Sequence, residues 1–244
     1  MIHPTTIIED GALIADGVEI GPFCHIGKDV KIANGCKIAS NVILKGDLSL
    51  GENVRVFSFS AIGQEGSKIL IGHDTHVREF VQIGAQEDEN ETPKPITIGH
   101  HNFIMGYVQI LSGVKTGEFC ILTNAVCLYE NVVCEERVII GGMSSVEANN
   151  RLGTGVMVGG ASYVDHDMPP FTLVEGNRAE VRGLNVIGLR RRLENRADIE
   201  DIKAIFKKIL GETTDKEVAS EIAQTYENEY VKRFASFISS SNMK

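Results

Sequence analysis

The chain has 244 residues, 43% hydrophobic and 23% charged, the balance of a globular protein rather than a disordered one. A formal net charge of −9 at pH 7 argues against general affinity for nucleic acid or anionic membrane, and no apolar run reaches the length of a membrane span. Aromatics make up 6%, Trp is absent and Gly numbers 25, a composition that suits tight repetitive layers of small aliphatics better than a bulky sandwich core.

The N-terminal stretch MIHPTTIIEDGA has no basic region leading into an apolar one, so no secretory signal is read and a cytoplasmic location is expected. From Ile14 a period of six takes over: Ile14, Ile20, Ile26, Ile32, Ile38, Leu44, Leu50, Val56 and Ile62. The residue four places on is also small or aliphatic, as at Val18, Cys24, Val30 and Cys36, and Gly follows the key aliphatic at Gly21, Gly27, Gly51 and Gly63. A first interruption, GQEGSKIL, precedes Ile71, Val77 and Ile83; a second, over 84–97, carries Glu87, Asp88, Glu89 and Glu91 and is too polar for core. That second segment reads equally as a solvated loop or as a flap beside a site. The period then resumes at Ile98 and runs to Val164, with Thr116 and Cys134 as its two non-aliphatic members.

Neither an isolated alternating strand nor a helix explains a period of six with one dominant aliphatic. It predicts a parallel β-helix in which three hexapeptides make a coil, inward aliphatics stack from coil to coil, and Gly or Asn takes the unusual backbone angles at corners. The repeat is expected to end near Val164, before DHDMPPF. Beyond it Ile199, Ile202, Ile205, Phe206, Ile209 and Leu210, then Tyr230, Val231, Phe234, Phe237 and Ile238, fall at helical intervals, with Asp198 near one start and Gly211 at one end. The expected division is residues 1–168 as β-helix and 169–244 as an α-helical domain. The five cysteines form no metal-ligand spacing and read as reduced thiols.

Several stretches carry a resemblance: REFVQI (78–83), FIMGYVQI (103–110), FCILTNA (119–125), VIIGGMSSV (138–146), MVGGASYV (157–164) and PPFTLVEGNRAEVRGLNVIGLRRR (169–192). Over essentially the whole chain the sequence resembles the UDP-N-acetylglucosamine 3-O-acyltransferases of lipid A and lipopolysaccharide synthesis. The resemblance implies an all-β left-handed parallel β-helix of hexapeptide repeats with a C-terminal α-helical subdomain. It also implies a homotrimer with sites in clefts between neighbouring copies. A 3-hydroxyacyl chain would pass from acyl carrier protein to a UDP-sugar, with acyl carrier protein or acyl-CoA as donor substrate and no cofactor, metal, nucleic acid partner or stable membrane insertion.

In that family a histidine oriented by a neighbouring acid deprotonates the sugar hydroxyl. Here the first histidine position is Gln109, the catalytic one Ser112 and the acid Gly113, while two further family histidines fall on Asn131 and Glu147. The loop that bears a substrate-binding lysine in the family is shortened to GQEGSKIL. None of His3, His25, His73, His76, His100, His101 and His166 matches a family site position; His76, His100 and His101 read as exposed corner residues. Ser112 is a poor base, Gln109 can orient but not take a proton, and Glu147 is the nearest candidate carboxylate, with a solvated corner as its ordinary reading. Asn131, Asn185, Arg191 and Arg192 match sugar-nucleotide positions, and Met157 and Gly160 match the acyl groove. Arg190, Arg191 and Arg192 form a basic cluster suited to an acidic carrier protein or to phosphates.

A missing base typically lowers a rate by about 10²–10⁴-fold, which a sugar hydroxyl tolerates poorly and an amine better. Two functions follow. One is an acyltransferase acting on a UDP-linked amino sugar with amide formation; the other is an inactive relative that binds sugar nucleotide or carrier protein as a scaffold. A carbonic anhydrase on this fold is discarded because its three zinc histidines are not visible.

Overall fold

The structure is a computed structural model describing residues 1–85, 92–210 and 214–243. The expected acidic residues Glu87, Asp88, Glu89 and Glu91, and the expected helix stop Gly211, lie outside the described residues.

From Ile7 to Val164 the chain winds through strands mostly of two residues. In most of them the first side chain faces out and the second in: Lys31 is exposed and Ile32 buried, Lys37 exposed and Ile38 buried. Strands this short have no partner within their own coil, so their backbone groups pair with the coils above and below. Ile121 N–H donates to Val138 O at 2.9 Å and Phe103 N–H to Cys120 O at 2.9 Å. Three sheets result, of nine, eight and ten strands among the described residues. The chain visits them in strict rotation: Ile7–Ile8 lies in the first, Leu13–Ile14 in the second and Glu19–Ile20 in the third. This is a left-handed parallel β-helix of about nine turns.

Register confirms the hexapeptide period. Ile104 pairs with Leu122 and Leu122 with Ile140, a step of 18 residues. Val56 pairs with Val77 and Val77 with Ile104, steps of 21 and 27. The extra residues fall where the chain passes from the first sheet to the second, between Ile62 and Lys68 and between Ala85 and Ile96. Inside, the stacked Ile, Leu and Val side chains form one continuous core, almost all below 5% exposed, and Thr116 and Cys134 also point inward. None of the five cysteines is joined in a disulfide. Burial pushes the Cys120 thiol up to about 12 and raises Cys134 as well.

Several inward positions are polar where other coils have aliphatics, among them Ser60, Thr75, Asn102 and Ser144. Thr75 and Asn102 are buried and satisfied: Asn102 Nδ2 donates to Gly99 O, Thr116 Oγ1 and Gly117 O at 2.9–3.1 Å, and its Oδ1 accepts from Cys120 N–H. Thr75 Oγ1 donates to Gly99 O and accepts from Asn102 N–H.

The corners depart from the expectation of Gly and Asn. Between the third and first sheets the left-handed position is held by Phe23, Asn41, Phe59, Phe80, Tyr107, Ala125, Met143 and Ala161, all with φ between 54° and 64°. Such backbone costs an L-residue about 1–2 kcal/mol, and here it is fixed from outside. Tyr107 N–H donates to Glu79 O and Met143 N–H to Asn124 O, corner to corner. Phe59, Phe80 and Tyr107 stack in turn at 5.2 and 4.9 Å, with planes 6° apart.

After Val164 one more strand, Thr172–Glu175, adds to the third sheet beside Met157–Val158, and Glu180–Leu184 folds back on it antiparallel. Four helices follow: α1 (Val186–Arg192), α2 (Arg196–Ile209), α3 (Lys216–Thr225) and α4 (Glu229–Ser240). Each starts on a side-chain cap, from Asn185, Asn195, Asp215 and Asn228. Ile199, Ile202 and Ile209 of α2 pack on Val231, Phe234 and Ile238 of α4 in a second core. Arg151 ties that core to the last coils: it donates to Phe237 O at 3.2 Å and stacks over the Phe237 ring at 3.9 Å. No helix among the described residues is long and apolar enough to cross a membrane.

Asn102→Ala removes four hydrogen bonds inside the coil stack and leaves buried partners unpaired, each worth about 1–3 kcal/mol. Chemical denaturation is expected to show a loss of about 2–3 kcal/mol; a loss below about 0.5 kcal/mol, the range of a neutral surface change, contradicts this account of the polar pair.

Candidate functional site

The residues singled out at family histidine positions gather at one place, the edge between the first and second sheets, from which both insertions emerge. Gln109 opens the strand Gln109–Leu111, exposed, in register with Gln82 on one side and Cys127 on the other. The Cys127 thiol reaches its Oε1 at 4.0 Å, the outer limit for sulfur. One turn on, Ser112 is 7% exposed and its hydroxyl is engaged by the returning end of the second insertion: it accepts from Lys94 N–H at 2.7 Å. Gly113 N–H also donates to Lys94 O, at 3.3 Å.

Gly113 and Asn131 constrain each other. Gly113 has φ +77°, and a Cβ there would lie 2.5 Å from Asn131 Oδ1. Asn131 is itself in the left-handed region at φ 59°, its N–H donating to Ser112 O and its Nδ2 to Asn149 Oδ1 at 3.0 Å. The side chain at 131 thus occupies the space an acidic side chain at 113 would need.

Glu147 is exposed and follows the inward Val146 on the first sheet. It meets Tyr163 of the next coil. Desolvation, then the Glu147 carboxylate beside it, raises the Tyr163 phenol above its ordinary range. Arg178 lies over the Tyr163 ring at 5.8 Å and also pairs with the buried Asp165 at 2.5 Å. Glu147 therefore sits beside Tyr163 and close to Arg178. Tyr163 and Lys94 were not singled out from sequence. The 18-residue register that pairs Ser145 with Tyr163 would have found the first; nothing local announces the second.

The histidines are occupied elsewhere. His25 pairs with Glu9 at 2.7 Å, His73 and His101 with Asp74, and His166 with Asp165. His76 lies against Phe103 on the third sheet, and burial lowers its pKa. Only His166 shares the first–second edge, three coils beyond Ser112, a separation of about 14 Å at the ordinary strand spacing.

The other candidates lie on different edges. Met157 is on the third sheet, 39% exposed, between Ile139 and Leu173. Gly160 precedes the third–first corner; a Cβ there would make an ordinary 3.4 Å contact with Gly142 O, so its own backbone does not require glycine. Asn185 caps α1, accepting from Gly188 N–H at 2.9 Å and donating to Gly155 O at 3.2 Å. The arginine cluster divides: Arg190 and Arg191 are exposed, while Arg192 folds back half-buried on the second–third edge, donating to Arg137 O at 3.1 Å and abutting Gly155. One copy of the chain thus brings together Gln109, Ser112, Asn131 and Glu147, and separates them from Met157 and Gly160 and from Asn185, Arg191 and Arg192.

A family profile described as UDP N-acetylglucosamine O-acyltransferase, domain 2, matches residues 167–243, and a bacterial transferase hexapeptide profile matches 11–46. An acyl-[acyl-carrier-protein]–UDP-N-acetylglucosamine O-acyltransferase of Aliarcobacter butzleri is 38% identical over 97% of this chain and 94% of its own length. The chain belongs to that family. A relative of the same name from Nautilia profundicola is 39% identical, covering 79% of this chain and 78% of its own. The UDP-N-acetylglucosamine acyltransferase structure from Campylobacter jejuni superposes with a TM-score of 0.91 at 32% identity, covering 99% of this chain and 97% of the other.

Gly113→Asp tests the coupling at the edge. The substitution is expected to destabilise the fold by about 1–2 kcal/mol, and Asn131→Gly in the same chain to recover part of that loss. Equal stability of Gly113→Asp and wild type in denaturant unfolding would show that Asn131 does not exclude the acid.

Proposed function

We propose that the chain is a cytoplasmic acyltransferase of the lipid A type, moving a 3-hydroxyacyl chain from acyl carrier protein to a UDP-linked amino sugar and forming an amide. The observation that carries this is the first–second edge itself: at the family's base position stands a buried serine whose hydroxyl is already engaged by Lys94 N–H, with no acid beside it at Gly113. A hydroxyl acceptor needs its proton removed as it attacks. A neutral amine attacks with its lone pair and releases the proton afterwards. The nitrogen bonds to the thioester carbon, the carbonyl oxygen takes the negative charge, the carrier thiolate leaves as the carbonyl re-forms, and the ammonium proton passes to water. Gln109, exposed on the adjacent strand, offers an amide to orient the acceptor.

The separation of candidate residues over three edges supports assembly as a homotrimer, in which a neighbouring copy brings a second edge against the first. On this reading Asn131 with Asn185, Arg191 and Arg192 hold the sugar nucleotide, and exposed Arg190 and Arg191 meet the acidic carrier protein. Met157 and Gly160 line the acyl chain. Gly160 fits that task because nothing in its own backbone requires glycine, so the missing side chain leaves room outside the coil.

One observation favours a second reading. The same Lys94–Ser112 hydrogen bond closes the catalytic position from within, as expected of a relative that retains nucleotide or carrier binding without turnover.

Incubation with 3-hydroxyacyl carrier proteins and either UDP-N-acetylglucosamine or its 3-amino analogue, read by mass spectrometry, separates the two. Amide product with little ester supports amine acylation. No product from either acceptor, with nucleotide still bound, leaves the scaffold reading.

A further inference from the structure

The candidate site leaves unused a group of residues on the second–third edge. His73 and Asp74 form the turn before His76–Val77, and His100 and His101 the turn before Phe103–Ile104. Those strands pair in register, so the two turns stack although 27 residues separate them. His73 Nδ1 lies 2.7 Å from Asp74 Oδ2, and His101 Nδ1 lies 3.8 Å from the same oxygen. One ligand atom from each of the three falls within 4.8 Å of the others.

We propose that His73, Asp74 and His101 form a binding site for a divalent transition metal of the zinc class, with a fourth position open to water. Two imidazoles and one carboxylate are the donor set of such ions, whereas calcium and magnesium take oxygen ligands. Zinc bonds of about 2.0–2.2 Å set tetrahedral ligand atoms about 3.3 Å apart, between the two separations seen here. The side chains are 37–43% exposed, so small torsional changes widen one gap and close the other. An ordinary His–Asp ion pair uses one imidazole. Two imidazoles with Nδ1 turned to one carboxylate oxygen is the arrangement a shared cation uses, each neutral imidazole then binding through Nδ1 with its proton on Nε2.

Outer contacts orient each ligand, as metal sites require. Asn53 Nδ2 donates to Asp74 Oδ1 at 3.2 Å, leaving Oδ2 to the ion. The His100 ring lies 3.9 Å from that of His73, and its Nδ1 accepts from His73 N–H at 3.0 Å. Phe119 stacks on His101 at 4.7 Å. Beneath them the Thr75–Asn102 hydrogen bond holds the two turns on a fixed base. The ion would clip the coil before the second insertion to the coil after it, where the register step is longest.

The test is calorimetric titration of the full chain, stripped with chelator and desalted, with zinc chloride and, separately, calcium chloride. One zinc per chain and no calcium are expected. His101→Ala and Asp74→Asn should each weaken zinc binding by at least about tenfold, and His3→Ala should leave it unchanged. Ala125 and Ala161 occupy the same backbone conformation in this chain, so His101→Ala is compatible with the turn. Zinc should raise the melting temperature of wild type and not of His101→Ala. Absence of zinc uptake, uptake unchanged in both ligand variants, or uptake lost in His3→Ala overturns the proposal.

Discussion

Everything in this molecule depends on hydrogen bonding between coils. A two-residue strand cannot satisfy its backbone alone, so each coil is fixed by the coil before it and fixes the next. The inward aliphatics then have no freedom of register, and they stack into one continuous column. An insertion is tolerated only where it leaves at a corner and returns to the same register. Both insertions do so at the first–second edge, which gathers loop backbone and outward polar side chains at one place.

The same constraint shapes the chemistry. Side chains at this edge are set one above another by the coil step, so a substitution at one level is felt at the next. Asn131 fills the space over Gly113, Asn149 accepts from Asn131, and Tyr163 meets Glu147. Gly113, Asn131 and Asn149 thus belong to one stack of matched residues rather than standing as separate positions. On the proposed amide-forming reading, such an edge would position the acceptor without having to take its proton.

The period of six made the coil legible, because one inward aliphatic in six is a backbone requirement at every level. Its handedness came from resemblance, since the stacking of Ile and Val is equally good in either sense. The aromatic corner of Phe59, Phe80 and Tyr107 was not legible: left-handed backbone at those residues is imposed by neighbouring coils, not by local preference. Helices α2 and α4 showed in the sequence through several buried apolar residues each, whereas α3 buries only Ala219 and Ile222 and left no clear pattern. At the site, Gln109, Ser112, Asn131 and Glu147 could be placed only by matching a family motif. The Lys94 contact and the inward fold of Arg192 belong to tertiary structure. The grouping of His73 with His101 was hidden by the 27-residue step.

The most direct test of the account is the pH dependence of acyl transfer to a UDP-linked 3-amino sugar. If no side chain serves as base, the rate should rise once, with a midpoint that follows the amine pKa of the acceptor and is unchanged in Glu147→Gln. A midpoint that stays fixed when the acceptor amine is varied, and shifts in Glu147→Gln, would show a carboxylate base at work and contradict the account.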